Sequence, residues 1–384
     1  MIEDTPATPA DPTPPPERRR AQPPHSAGRN GIGEGIRSGR RNGRRLRAAV
    51  LALSMAAGAL ISWPQGSAEA APAPYAGYLF VYFTGEGSAT GEQIYYALSK
   101  GNDPLHWTEL NGGKPVLAST VGTKGVRDPF VTRSPKGDRF YLLGTDQRQY
   151  GNRDWDTPQR HGSKNIVVWE STDLVNWTNQ HLSKVAPDTA GNTWAPEATY
   201  DETQGKYVVY WASKIYAAND PNHTGNTYNR MLYATTADFR TFSAAKTWFD
   251  PGHSVLDSTV IKNNGTYYRL NKDARDGRTC SNFITEDKST TILNTRYTVV
   301  ADCIGRGAIS RGEGPLVFKS NTGNKWYQFI DEYGVRGYVP FETTDLNSGK
   351  WTPSPNYALP AKPRHGTVLP VTQAEYDRLK NRFR

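Results

Sequence analysis

The stretch "GYLFVYFTG", residues 77–85, is a run of aromatic and aliphatic side chains with a glycine at each end. A short apolar run bounded in this way reads as a strand buried on both faces. It has four counterparts: "GDRFYLLGTD" (137–146), "GKYVVYWAS" (205–213), "GTYYRLNKD" (265–273) and "NKWYQFIDE" (324–332). With Tyr78, Tyr141, Tyr207, Tyr267 and Trp326 as markers, the intervals are 63, 66, 60 and 59 residues. Repetition at a nearly fixed period points to a repeat architecture of five units.

Each run is followed by a second strand, a Ser or Thr, a polar turn and an aromatic, as in "IVVWESTDLVNWT" and "MLYATTADFRTFS". Ahead of the last four runs stands a third element, in "VRDPFVTRSPKG", "TWAPEATYDETQG", "VLDSTVIKNNG" and "GEGPLVFKSNTG". Each reads as the first arm of a hairpin with a glycine-bearing turn. The first run has no such arm before it, but "RHGTVLPV" (364–371) supplies one at the far end of the chain. An array that lacks its first inner strand and gains one from its C-terminus is a ring. The expectation is an all-β, five-bladed β-propeller closed by pairing of its N- and C-terminal strands, a solution that removes long exposed sheet edges. The stretches 147–163 and 214–229 are then loops over one face. "TQAEYDRLKNRF" (372–383) is the one good helix candidate, with Thr372 as N-cap, acidic residues early and basic ones late.

Residues 1–70 read differently. They are rich in Pro, Gly and Arg up to Arg47, apolar from Ala48 to Trp63, and end on "SAEAAPAP", where Ala68 and Ala70 form an A-x-A cleavage site. This pattern predicts an export leader with a signal peptide, removed to leave one five-bladed propeller domain over 71–384, in a secreted protein without stable membrane association after cleavage. Ten of the 46 basic and six of the 37 acidic residues lie in the leader, which leaves 36 against 31 in the remainder. So mild an excess, without a basic cluster, gives no case for nucleic-acid binding. In an oxidising compartment Cys280 and Cys303, the only cysteines, are expected to form one disulfide.

In the register of the inner strands, Asp128, Glu197, Asp257 and Glu313 stand 13, 10, 10 and 13 residues before their aromatic markers. Inner strands run along a propeller's axis, so these starts converge at one end of the channel, with His365 from the closing strand. Clustered carboxylates repel one another and must be tied down or titrated. Two carboxyls flanking a cleft can cleave a glycosidic bond, one protonating the leaving oxygen while the other activates water or attacks the anomeric carbon. Of the aromatics nearby, Trp194 is the one expected to stack on a sugar, with Tyr210 and Trp211 left to the core. Gly312 and Gly314, flanking Glu313, would let a substrate or backbone approach closely.

"GVRDPFV", "WAPE", "VLDSTV" with "NGTYY", "GEGPLVFK" and "RHGTV" together resemble the family 43 glycoside hydrolases, over about residues 75–370. The resemblance implies a base at Asp128, a pKa-modulating Asp at Asp257, a general acid at Glu313 and single displacement with inversion. It implies no required cofactor, and places His365 near a central site for calcium or water. Arg127, Trp194, Glu197 and His365 are then expected to bind substrate, although the "WAPE" glutamate is mainly structural in the family. The expected substrates are arabinofuranosyl or xylosyl linkages of plant cell-wall polysaccharide, attacked by a monomer. The alternatives are a non-catalytic carbohydrate-binding propeller and a fructosyl- or galactosyl-acting glycosidase.

Overall fold

A computed structural model describes residues 74–275 and 280–384. The leader expected over 1–70 lies outside the described residues. Among those described, no helix is long and apolar enough to cross a membrane.

Five four-stranded antiparallel sheets follow one another as blades. From the inner strand outward, blade 1 is Arg364–Thr372, Tyr75–Phe83, Tyr95–Lys100 and Asp103–Glu109. Blade 2 is Val126–Arg133, Phe140–Asp146, Asn165–Ser171 and Thr178–Lys184. Blade 3 is Trp194–Asp201, Lys206–Lys214, Asn229–Thr236 and Lys246–Phe249. Blade 4 is Val255–Asn263, Thr266–Asp273, Phe283–Ser289 and Thr298–Ile304. Blade 5 is Glu313–Lys319, Trp326–Glu332, Gly337–Thr343 and Thr352–Pro353. Each inner strand touches the inner strands of its two neighbours, so the five close a ring. The closing strand 364–372 pairs with 75–83 as expected.

The second strand of each blade explains the apolar runs. Tyr78, Phe80 and Tyr82 pack toward blade 5, whereas Leu79 and Val81 pack toward blade 2, and all are buried. A strand with period-two alternation and a neighbouring blade on each side needs apolar residues at every position. Closure is secured by the C-terminal helix Gln373–Arg382. Thr372 caps it in a reciprocal capping box with Glu375, an arrangement worth about 1 kcal/mol. The same Glu375 takes a two-pronged ion pair from Arg133 on blade 2, and Arg133 also donates to the Pro370 carbonyl (3.0 Å). Cys280 and Cys303 are joined, across blade 4.

All five inner strands carry a β-bulge at the same level. The pairs Arg127 with Thr145 and Phe130 with Leu143 show three steps on the inner strand against two on its neighbour. Trp194 to Glu197, Leu256 to Thr259, Glu313 to Leu316 and Arg364 to Thr367 repeat this slip. The first residue of the bulge is thus Asp128, Ala195, Asp257, Gly314 or His365. At the first four of these φ is positive, at 50°, 49°, 55° and 50°. For a residue with a Cβ this left-handed turn costs on the order of 1 kcal/mol. It is the bend by which a bulge re-aims a side chain.

Candidate active site

The bulges end at a cavity of about 580 Å³ whose walls include Asp128, Asp257, Glu313, Arg127, Trp194 and His365. Asp128 and Asp257 occupy equivalent bulge positions on blades 2 and 4. Glu313 stands one residue earlier, level with Arg127, Trp194, Leu256 and Arg364.

A backbone N–H of the following blade supports each aspartate, through Thr145 for Asp128 and directly for Asp257. The Ala195 N–H donates to the Thr145 hydroxyl (2.8 Å), which must therefore turn its own proton to Asp128 Oδ2 (2.7 Å). The Gly314 N–H donates to Asp257 Oδ2 (3.0 Å). The Nδ1 of His365 faces Asp128 Oδ1 at 3.6 Å. Burial pushes the Asp257 carboxyl above its usual range, and the charges of Glu313 and Asp128 reinforce this against His365 and Lys272.

Glu313 has the opposite balance. Burial favours its neutral form, but Lys272 Nζ (2.7 Å from Oε2) and the Arg364 guanidinium (2.8 Å from Oε1) outweigh burial and hold the carboxyl below its ordinary value. Arg364 is itself anchored on the fully buried Asp331. Asp331 is raised to about 6 by burial, against the attraction of Arg364.

Arg127 forms a wall of the cavity. It is paired with the buried Glu92 (2.7 Å) and with Glu86 (3.1 Å), and its guanidinium lies 4.8 Å from the Phe83 ring and 5.2 Å from that of Trp155. Trp155 rides on the loop 147–163, which spans this face as expected. The loop is pinned where Arg160 donates to the carbonyls of His223 (2.8 Å) and Gly225 (3.0 Å). There the His161, His223 and Tyr216 rings also stack, at 5.5 and 4.3 Å.

Two readings from sequence come out differently. Glu197, expected among the substrate-binding residues, is absent from the cavity lining. It sits two residues past the bulge, 3 % exposed, and accepts from the Tyr210 hydroxyl (3.2 Å). Its place corresponds to Phe130, Thr259, Leu316 and Thr367, beneath the cavity floor. Gly312 and Gly314 serve packing rather than substrate access. A Cβ at Gly314 would lie 2.7 Å from Cγ of His365, and one at Gly312 would lie 2.4 Å from Cγ2 of Ile330.

Calcium calls for six to eight oxygen ligands. Among the described residues, the three-residue group of metal-ligating type is Cys280, Asp302 and Cys303, two of which are consumed by the disulfide. His365 stands outside that group, and the nearest carboxylate oxygen it faces is Oδ1 of Asp128, at 3.6 Å. The sequence reading also missed Trp155, Tyr333, Lys272 and Arg364, all in the lining. Only Arg364, inside "RHGTV", lay in a motif already singled out at a blade start.

A family model described as "Probable glycosyl hydrolase domain", related to family 43, matches residues 73–377. An α-L-arabinofuranosidase of Bifidobacterium longum is 37 % identical over 230 residues, covering 56 % of this chain and 21 % of that protein. The chain thus spans about a fifth of that relative's length. Among solved structures, an endo-1,4-β-xylanase from Bacteroides thetaiotaomicron superposes with a TM-score of 0.50 at 15 % identity, over 77 % of this chain and 97 % of that one. An α-L-arabinanase of Penicillium chrysogenum gives a TM-score of 0.47 at 17 % identity, over 76 % and 79 %. Five blades, a cavity walled by three inner-strand carboxylates and a family match over nearly every described residue converge: the chain belongs to the family-43-related glycosyl hydrolases.

Proposed function

We propose that the chain is an exported, exo-acting glycosidase that releases α-L-arabinofuranosyl residues from plant cell-wall polysaccharide as a monomer, with inversion. The carrying observation is the single cavity walled by Asp128, Asp257 and Glu313. The name of the Bifidobacterium relative favours the arabinofuranosyl group over xylosyl.

In this reading Asp128 is the base. The Thr145 proton on Oδ2 turns the other oxygen, Oδ1, toward a water molecule, and His365 stands beside that oxygen. Glu313 protonates the leaving oxygen. Asp257, fixed by the Gly314 N–H, places negative charge next to Glu313 and so favours return of a proton to it. Trp194 and Trp155 supply apolar faces for sugar rings.

The test is a screen of the chain against aryl arabinofuranosides, xylosides and galactosides together with linear arabinan. The anomer of the first-formed product is read by NMR. The expected result is inverted arabinose from the arabinofuranoside, with a loss of at least about a hundredfold in Glu313→Gln, the lower end for general acid catalysis. Near-normal turnover by that variant would remove Glu313 from its role, and a retained anomer would remove the single displacement. One observation favours the rival reading of a non-catalytic sugar-binding propeller, namely that both oxygens of Glu313 are covered by cations. Binding of arabino-oligosaccharide without release of any sugar would select it.

A further inference from the structure

Resting on the assignment of Glu313 as proton donor, the cations around it pose a problem that the reaction has to solve. A donor needs one carboxyl oxygen that carries a proton and faces the leaving group. Here Oε1 is held by Arg364 and Oε2 by Lys272. The two holds differ in kind. Arg364 is tied at its Nε to Asp331, which is fully buried, and a guanidinium fixed between two carboxylates has little freedom to leave. Lys272 is a single ammonium on a flexible four-carbon stem. Among the described residues its Nζ makes one hydrogen bond, to Glu313, and lies 4.6 Å from the centre of the Tyr333 ring.

We propose that Lys272 is a releasable counter-ion for Glu313: it covers Oε2 in the free protein and withdraws onto the Tyr333 face when the glycosidic oxygen arrives, uncovering the oxygen that carries the proton. The sequence of protons balances. As Nζ leaves, Oε2 takes a proton from water. That proton passes to the glycosidic oxygen as the bond from this oxygen to the anomeric carbon breaks. The attacking water gives its proton to Asp128, which returns it to solvent. Glu313, again ionised, recaptures Lys272. A ring face is a suitable resting place for a desolvated ammonium, because the ring's quadrupole replaces part of the lost attraction.

The charged and titratable groups facing Glu313 are Lys272 and Asp257 from blade 4, Arg364 and His365 from blade 1, and Asp331 from its own blade. Of these only Lys272 combines a direct contact with freedom to depart. It is a positioning residue, since it acts through Glu313.

Three variants test this. The first readout does not depend on turnover: the side-chain carboxyl carbons of ¹³C-glutamate-labelled protein are titrated by NMR, with the Glu313 signal assigned by its loss in Glu313→Gln. In Lys272→Met the titration of Glu313 moves to higher pH by at least about one unit, a tenfold change in its ionisation ratio. The second readout compares aryl and alkyl glycosides of the sugar the chain cleaves. Lys272→Arg keeps the charge but grips a carboxylate in two-pronged fashion, so the titration of Glu313 does not rise. Its kcat then falls at least about tenfold on the alkyl substrate, where acid assistance matters most, and less on the aryl one. Tyr333→Leu removes the resting place and gives the same split in kcat with the Glu313 titration unchanged. An unmoved titration in Lys272→Met overturns the proposal, as does equal loss on both substrates in Lys272→Arg. Should Lys272→Met fail to fold, the other two variants decide. Full activity of Glu313→Gln on the alkyl glycoside would instead overturn the parent assignment, a separate failure.

Discussion

Replacing Glu197 by glutamine is expected to stabilise the folded chain at neutral pH, although it alters a fully enclosed residue near the proposed catalytic carboxylates. Burial pushes the Glu197 carboxyl from 4.5 up to about 8, more than the hydrogen bonds from Thr259 and Tyr210 pull it down, and the nearby Asp257 adds to the rise. The folded chain therefore keeps this proton while the unfolded chain loses it as pH passes about 4.5. A raised carboxyl has its full stability below the unfolded value and loses it as pH climbs toward the folded one. The window here runs from about 4.5 to about 8. At roughly 1.4 kcal/mol per unit, the accumulated cost at neutral pH is about 3 kcal/mol. Glutamine has the shape of the neutral acid, accepts from Tyr210 through its carbonyl oxygen and never ionises. Urea unfolding at about pH 4 and about pH 8 measures the difference. The variant should match the parent at the lower pH and exceed it by a few kcal/mol at the higher, or roughly 5 °C in Tm. Curves of the two proteins that run parallel from one pH to the other would refute the reasoning, since they would show that Glu197 does not titrate between the folded and unfolded states. Asp257 is raised by the same cause in both proteins, and in either one it faces an uncharged side chain at 197 until pH nears about 8.

Thr145→Val strips Asp128 of its proton-donating partner and leaves the Ala195 N–H without an acceptor. The expected outcome is a loss of about 1–3 kcal/mol of stability by urea titration, with a larger fall in kcat than in substrate affinity. Trp155→Ala should raise KM severalfold with kcat nearly intact, because the ring lines the cavity and packs on Arg127; a collapse of kcat alone would contradict that. Gly314→Ala forces a Cβ onto His365 at a left-handed backbone position, and should cost on the order of 2 kcal/mol or more by thermal melting. An unchanged Tm would show that the closing blade can yield there.

The bulge level gives the site its economy of parts. One distortion, repeated on every inner strand, turns Asp128 and Asp257 into the cavity and presents the N–H of Ala195 or Gly314 to the carboxylate system of the blade before it. Strain in the backbone is offset by the hydrogen bonds it makes possible, and each aspartate accepts from an uncharged donor, the Thr145 hydroxyl or the Gly314 N–H. Glu313, outside the bulge by one residue, is held by cations instead.

The sequence by itself determined the architecture. The five apolar runs near sixty residues apart mark strands buried on both faces, a missing first arm and a spare last one require closure, and that register sends Asp128, Asp257 and Glu313 to one end of the ring. These features are legible because they depend on periodicity along the chain. What lies at the same height in space is a different quantity. Counting back to an aromatic marker crosses a hairpin loop, and these loops run from 264–265 in blade 4 to 134–139 in blade 2. Equal spacing therefore did not mean equal height: Glu197 and Asp257, both ten residues ahead of their markers, stand two levels apart. Lys272, from a second strand, and Arg364, from the chain's far end, meet at Glu313 only because the ring closes and brings three blades to one point. Spacing along one strand carries no record of which side chain of the next blade will face it, so the ionisation of Glu313 was left for the tertiary structure to decide.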